Sequence, residues 1–226
     1  VLGSRGLGDV YKRQISETLA AALLMLTPWN KDRVLVDPFC GSGTFPIEAA
    51  MIGANIAPGM MREFTADCWG KVVPKKVWYN AYDEAEDMIR RDVQMNIQGY
   101  DLDPEIVKCA MANAKAAGVG DYIHFQARDV KDLRHPKHYG FIITNPPYGE
   151  RLEEKEALPA LYKTIGESFA NLPDWSMYLI TSYEDAEKYI GRKADRNRKI
   201  YNGMIKSYFY QFMGPKPPKN KEPKEQ

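Results

Sequence analysis

The sequence predicts an α/β fold built on an open, mostly parallel sheet. Three observations point there. Short apolar runs alternate with stretches whose apolar residues recur at helical spacing, and polar loops containing glycine or proline follow the runs. The last two runs have no helix between them, which adds an antiparallel strand at one edge. A chain of 226 residues, 44% apolar and 27% charged, suits one large domain with a substantial core. No apolar run approaches the roughly 20 residues of a membrane span.

Residues 15–26, ISETLAAALLML, are strong helix formers with Ser16 as a cap and Pro28 as a stop. Residues 33–37 form a short buried-type strand, and residues 43–51 a helix that tolerates Pro46 and Glu48 in its first turns. Residues 54–96 read as an acidic, aromatic insertion, helical from about 75 to 95. Residues 97–102 are a second strand. Asp103-Pro104 then starts a helix that Gly118 and Gly120 end. Strands at 122–127, 141–144 and 176–181 follow, with helices at 158–172 and 183–190. A terminal strand pair spans 199–201 and 205–213.

In doubly wound sheets, ligands bind beyond the carboxyl ends of the strands, where strand order reverses. The first such loop is Asp37-Pro38-Phe39-Cys40-Gly41-Ser42-Gly43-Thr44. Gly41 and Gly43 allow positive φ and close backbone approach to a ligand, and Asp37 can accept from an ammonium group. A dinucleotide fingerprint needs a third glycine where Pro46 stands, and a phosphate loop needs Gly-Lys-Ser/Thr, also missing. The loop therefore favours a zwitterionic amino-acid group over a pyrophosphate, and opposes an NAD-linked oxidoreductase. Asp101 is placed to take ribose hydroxyls, while Asp103 caps the next helix. Asp129 either accepts from an adenine amine or caps the turn after it.

The fourth strand, Phe141-Ile142-Ile143-Thr144, runs into Asn145-Pro146-Pro147-Tyr148. An exocyclic amine on a nucleobase is a poor nucleophile because its lone pair is delocalised into the ring. The Asn145 side-chain oxygen and the Pro146 carbonyl can hold its two hydrogens and drive the nitrogen toward tetrahedral geometry, ready to attack a sulfonium methyl. The prolines fix the backbone, so the acceptors need no reorganisation. Tyr148 offers a ring on which a flipped base can stack.

Net charge is +1 but uneven: residues 191–226 hold 10 Lys/Arg and 3 Asp/Glu. The stretch 192–206 can meet phosphates, and residues 214–226 read as a solvated, disordered basic tail. Three unpaired cysteines, Cys40, Cys68 and Cys109, suit a reducing cytoplasm and show no metal-ligand spacing. The histidines His124, His135 and His138 share no ligand spacing either. Trp69, Trp78 and Trp175 are expected to pack in the core or insertion, the alternative being that Trp69 or Trp78 meets RNA. Glu17 and Thr18 either touch the cofactor's amino-acid end or cap a helix. Glu150 and Arg151 either touch substrate or pair in solvent.

Residues 1–14 stand apart. The segment Asp9-Val10-Tyr11-Lys12-Arg13-Gln14 matches the translation of a transposon-type sequencing adapter end, so the native sequence is expected to start near Ile15. The expected organisation is residues 1–14 as a non-native segment, 15–213 as the folded domain and 214–226 as the tail.

The set VDPFCGSGTFPIEAA, GYDLDPE, ARD and TNPPYGERL resembles the bacterial class I S-adenosylmethionine-dependent RNA methyltransferases that carry a THUMP domain, nearest the 23S ribosomal RNA guanine-N2 enzymes. The resemblance implies a Rossmann-like class I methyltransferase fold with a mostly parallel seven-stranded sheet, an antiparallel edge strand and helices on both faces. It implies that Asp37, Pro38, Cys40, Gly41, Ser42, Gly43 and Thr44 hold the methionine part of S-adenosylmethionine. Asp101 with Leu102 would hold the ribose, and Asp129 with Val130 the adenine. Asn145 would adjoin both cofactor and acceptor in a catalytic group of Asn145, Pro146, Pro147 and Tyr148. It implies an RNA partner, and an RNA-docking THUMP region that this catalytic domain lacks ahead of Ile15. The alternatives are transfer-RNA guanine-N2 methylation, DNA adenine-N6 or cytosine-N4 methylation, or a cofactor-binding RNA assembly factor.

Overall fold

The computed structural model describes residues 15–60, 62–148 and 152–218, the side chains of residues 152–154 excepted. The expected non-native segment, Glu150, Arg151 and the far part of the tail lie outside them. Helix α1 (Glu17–Met25) precedes β1 (Leu35–Asp37) and α2 (Thr44–Ala54). After the insertion, which contains α3 (Lys75–Asp87), come β2 (Ile97–Asp101), α4 (Pro104–Ala116), β3 (Ile123–Ala127) and β4 (Phe141–Thr144). Then follow α5 (Leu152–Ala170), β5 (Ser176–Thr181), α6 (Ala186–Ile190), β6 (Arg196–Asn202) and β7 (Ile205–Phe212).

The seven strands form one sheet in the order β3-β2-β1-β4-β5-β7-β6. The first five are parallel, and β7 pairs antiparallel with both β5 and β6. The expected antiparallel strand is therefore β7, one place in from the edge, because β6 hydrogen-bonds outside it.

Alternate residues of the central strands feed two cores, as a sheet covered on both faces requires. Leu35, Phe141, Ile143, Tyr178 and Ile180 face Leu23, Leu24, Phe45 and Ala49 from α1 and α2. Val36, Ile142, Met177 and Leu179 face Leu158, Tyr162, Ile165 and Phe169 from α5. Trp175 is fully buried in this second core, with its indole N–H donating to the Lys137 carbonyl at 3.0 Å.

The insertion differs from its sequence reading in two respects. Helix α3 stops at Asp87 rather than near residue 95, because the chain must turn back to reach β2; the Arg90 N–H donates to the Ala54 carbonyl at 2.8 Å, joining the insertion's exit to its entrance. Trp69 is not packed but 55% exposed, since the short turn carrying it stands off the sheet.

Candidate active site

Strand order reverses between β1 and β4: the chain winds outward through β2 and β3, returns to β4 beside β1, then winds the other way. The crevice beyond these two strands is where this architecture binds ligands. It brings Asp37 at the end of β1 next to Thr144 and Asn145 at the end of β4.

These two loops are joined by a buried hydrogen bond. The Thr144 hydroxyl donates to Asp37 Oδ1 at 2.6 Å, and the Phe39 N–H donates to the same oxygen at 3.1 Å. Asp37 is 2% exposed and Thr144 not at all. Burial pushes the Asp37 carboxyl up to about 7, against the pull of these two donors, and the charge of Asp101 adds to the rise. Asp37 is thus a structural brace between the two loops.

The glycine loop is held open by its backbone. The Cys40 N–H donates to the Tyr100 carbonyl at 2.8 Å, and the Gly43 N–H to the Cys40 carbonyl at 2.8 Å. Gly41 has φ +52° and a Cβ there would meet nothing within 4 Å, so its backbone borders open space. Gly43, at φ +87°, serves packing as well: a Cβ would lie 3.2 Å from Ala110 and Phe125. Asn113 on α4 donates to the Ser42 carbonyl at 2.9 Å, and the Ser42 and Thr44 hydroxyls lie 3.2 Å apart. Pro38 is buried. Burial, with Asp37 and Asp101 close by, pushes the Cys40 thiol up, so it stays protonated.

Asp101 bridges to this loop. Its Oδ2 accepts from the Gly41 N–H at 3.2 Å and its Oδ1 from the Asp103 N–H at 3.1 Å, while Asp103 caps α4 through the Glu105 N–H. Leu102 beside it is exposed. Asp129 caps a short turn by accepting from the Lys131 N–H at 3.0 Å and also pairs with the Lys131 ammonium at 2.9 Å, contacts that hold its carboxyl low. Val130 packs in the second core, and its carbonyl accepts from the Ser168 hydroxyl, so it supports the loop from below. Glu17 is tied to Arg62, while Thr18 is exposed.

In the fourth loop, the Tyr148 hydroxyl donates to Asn145 Oδ1. The ring is only 9% exposed, and its hydroxyl faces Asn202 and Ser207 on the β6–β7 hairpin. The stacking platform expected of Tyr148 is instead a buried strut that orients the Asn145 amide, because the hairpin encloses it. Asn202 and Ser207 are themselves buried, and among the described residues no partner meets full hydrogen-bond geometry with Asn202 Nδ2 or Ser207 Oγ. From beneath, the buried Tyr162 hydroxyl reaches the Pro147 carbonyl at 3.4 Å and Thr181 Oγ1 at 2.5 Å. An open cleft of about 530 Å³ adjoins, lined by Tyr148, Lys155, Leu158, Tyr183, Glu184 and Ile205 among others.

Sequence reasoning missed Thr144, Tyr162, Asn202 and Ser207. Thr144 had a signal, a hydroxyl closing an otherwise apolar buried strand. Glu48 also goes beyond its reading as a tolerated helix residue: burial and Glu17 push its carboxyl up to about 7.

This strand order, with a glycine loop and Asp37 at the switch point, Asp101 at the end of neighbouring β2 and Asn-Pro-Pro-Tyr opposite, is that of a class I methyltransferase fold. Residues 9–211 match the RMKL-like methyltransferase domain, UPF0020, and the chain belongs to that family. It is 47% identical over 208 residues to "Putative RNA methyltransferase YpsC" of Bacillus subtilis, covering 92% of this chain and 54% of that one. It is 36% identical to the ribosomal RNA large subunit methyltransferase K/L of Shewanella amazonensis, covering 89% of this chain and 29% of that one. The chain thus spans about half of one relative and less than a third of the other. Among solved structures, SMU.472 complexed with SAH superimposes with a TM-score of 0.86 at 42% identity, covering 92% of this chain and 55% of that one. A Listeria monocytogenes protein described as "a predicted N6-adenine-specific DNA methylase" gives 0.85 at 47% identity, covering 90% and 52%.

Proposed function

We propose that this chain transfers a methyl group from S-adenosylmethionine to the exocyclic N2 amine of a guanine in RNA, with large-subunit ribosomal RNA as the favoured substrate. The observation that carries it is the Thr144–Asp37 hydrogen bond, which locks the glycine loop and the Asn145 amide together at the switch point. The residues fit the cofactor: Gly41 leaves open space at its backbone, and the Asp37, Asp101 and Asp129 carboxylates stand at three successive strand ends. Its amino-acid end belongs against residues 37–44, its ribose against Asp101 and its adenine against Asp129. When bound, the cofactor supplies an electrophilic sulfonium methyl.

The protein's part is to hold and orient. Tyr148 fixes the Asn145 amide so that its oxygen faces the incoming amine. An amide oxygen accepts two hydrogen bonds, so holding Tyr148 does not preclude the amine. Pro146 contributes a carbonyl on a stiff backbone, and Tyr162 braces the next one. Such fixed acceptors raise the nucleophilicity of the nitrogen without reorganisation in the reacting state.

The K/L relatives' names favour ribosomal RNA, and the choice of guanine N2 rests on the sequence resemblance. The description of the Listeria protein favours a second reading, adenine-N6 methylation of DNA. Incubation with labelled S-adenosylmethionine and ribosomal RNA, transfer RNA or DNA, then digestion and mass spectrometry of the nucleosides, decides. Label in N2-methylguanosine from ribosomal RNA supports the proposal, and label in methyladenine from DNA replaces it. Cofactor binding without transfer to any of the three refutes activity by this chain alone.

A further inference from the structure

The β6–β7 hairpin carries charge and aromatic surface that the methyl-transfer site does not use. Directly opposed residues of an antiparallel pair share a face, as do residues two apart along a strand. The register sets Lys199 opposite Tyr208 and Tyr201 opposite Lys206. These four side chains therefore form a two-by-two checkerboard on one face. The Lys199 ammonium lies 5.3 Å from the Tyr201 ring centroid, and the Lys206 ammonium 5.3 Å from that of Tyr208. Tyr201 is 59% exposed and both lysines are exposed. Further along, the same face becomes Tyr210 and Phe212, which are buried in the second core. The checkerboard is thus the uncovered end of that face.

The charge here is unspent. Arg192 pairs with Asp195, but Arg196, Arg198, Lys199 and Lys206 form no ion pair among the described residues. The charge of Glu184, which belongs to the rim of the cleft, acts on Lys206. The hairpin borders the methyl-transfer site: on its other face Ile205 lines the cleft beside Tyr148, and Asn202 and Ser207 face the Tyr148 hydroxyl. A strand that leaves the cleft past Glu184 and rounds the hairpin edge meets the checkerboard. Unpaired cations beside exposed aromatic rings suit a single-stranded nucleic acid, whose phosphates need counter-charge and whose bases stack. An acidic or purely apolar protein partner would use only one of these features.

We propose that Lys199, Tyr201, Lys206 and Tyr208 bind the single-stranded segment of the RNA substrate that flanks the methylated nucleotide, the lysines on phosphates and Tyr201 against a base. This rests on the reading that RNA enters the cleft beside Asn145. The test measures binding of a fluorescein-labelled single-stranded RNA to the full chain by anisotropy at several salt concentrations. Lys199→Ala with Lys206→Ala lowers affinity about 10-fold and reduces the slope of log K against log salt by about 0.7 per lysine. Tyr201→Ala weakens binding roughly 5- to 100-fold, whereas Tyr201→Phe retains it. Lys31→Ala, in the loop ahead of β1, serves as control, and S-adenosylmethionine affinity stays unchanged in every variant. Unchanged RNA affinity and salt slope in the double variant overturn the proposal, and continued methyl transfer would then leave the proposed function standing. Weakened RNA binding in the variants of a chain that transfers no methyl sustains the RNA track while sinking the catalytic reading. A wild-type chain that binds no RNA even at low salt overturns the track.

Discussion

Replacing Thr144 with valine preserves the shape of the last β4 side chain and removes one hydroxyl. Asp37 Oδ1 then keeps only the Phe39 N–H of its two donors. The cost depends on the charge of the carboxyl. A hydrogen bond to an ionised group contributes about 1.5–3 kcal/mol, and one to a neutral group about 0.5–1.5 kcal/mol. Asp37 has its pKa raised from 3.8 to about 7, so its favourable share of folding stability is fully present below about pH 4 and is lost as pH rises through 7. Thr144 pulls that pKa down, so the valine variant raises it further and deepens the alkaline loss. Urea or thermal unfolding near pH 8.5 and near pH 5.5 reads the difference. The variant should lose about 2 kcal/mol more than wild type at the alkaline pH, roughly 4–8 °C in Tm for a domain of this size, and about half that at the acidic one. An Asp37→Asn background should remove the pH dependence. Equal losses at both pH values would refute the argument that Thr144 stabilises an ionised, buried Asp37.

Asp101→Ala removes the acceptor for the Gly41 and Asp103 N–H groups and should weaken S-adenosylmethionine binding about 10-fold or more by calorimetry; unchanged affinity would rule out its ribose role. Asn145→Ala should leave cofactor affinity within a few-fold and lower turnover about 100- to 1000-fold; equal losses in both would contradict the separation of binding from chemistry. Gly166→Ala should destabilise the fold by about 2–4 kcal/mol, seen as a lowered Tm, because the new methyl would lie 2.2 Å from the Ile190 carbonyl oxygen at the end of α6; an unchanged Tm would show that α6 shifts freely.

The sequence carried what is local. β4 and β5 fall where their apolar runs place them, because both faces of a central parallel strand are buried and leave a continuous signal. The Asp103 cap was equally visible, since cap and first-turn proline are adjacent in the chain. Not every boundary was. Helix α5 begins at Leu152 and runs through Pro159, where a proline and charged residues hid its first turns. The positions of Asp37 and Asn145 beside strand ends, and of Gly41 in the loop after β1, could be read because each lies in its own local motif. The bond from Thr144 to Asp37 spans 107 positions, and the enclosure of Tyr148 depends on a hairpin more than 50 residues downstream. Such pairings follow from strand order, which single-chain periodicity does not encode. The same blindness turned Tyr148 from an expected platform into an inward strut.

The placement of β7 between β5 and β6 makes this domain close late. Until residues 205–212 emerge and zip in, β5 presents a raw, hydrogen-bond-hungry margin, and β6 has no sheet to join. Asn202 and Ser207, which enclose Tyr148, arrive in that same step. A nascent chain can therefore assemble its glycine loop early while the Asn145–Tyr148 loop remains unset. On the proposed function, a copy in which β7 has not yet paired would hold cofactor without being able to use it.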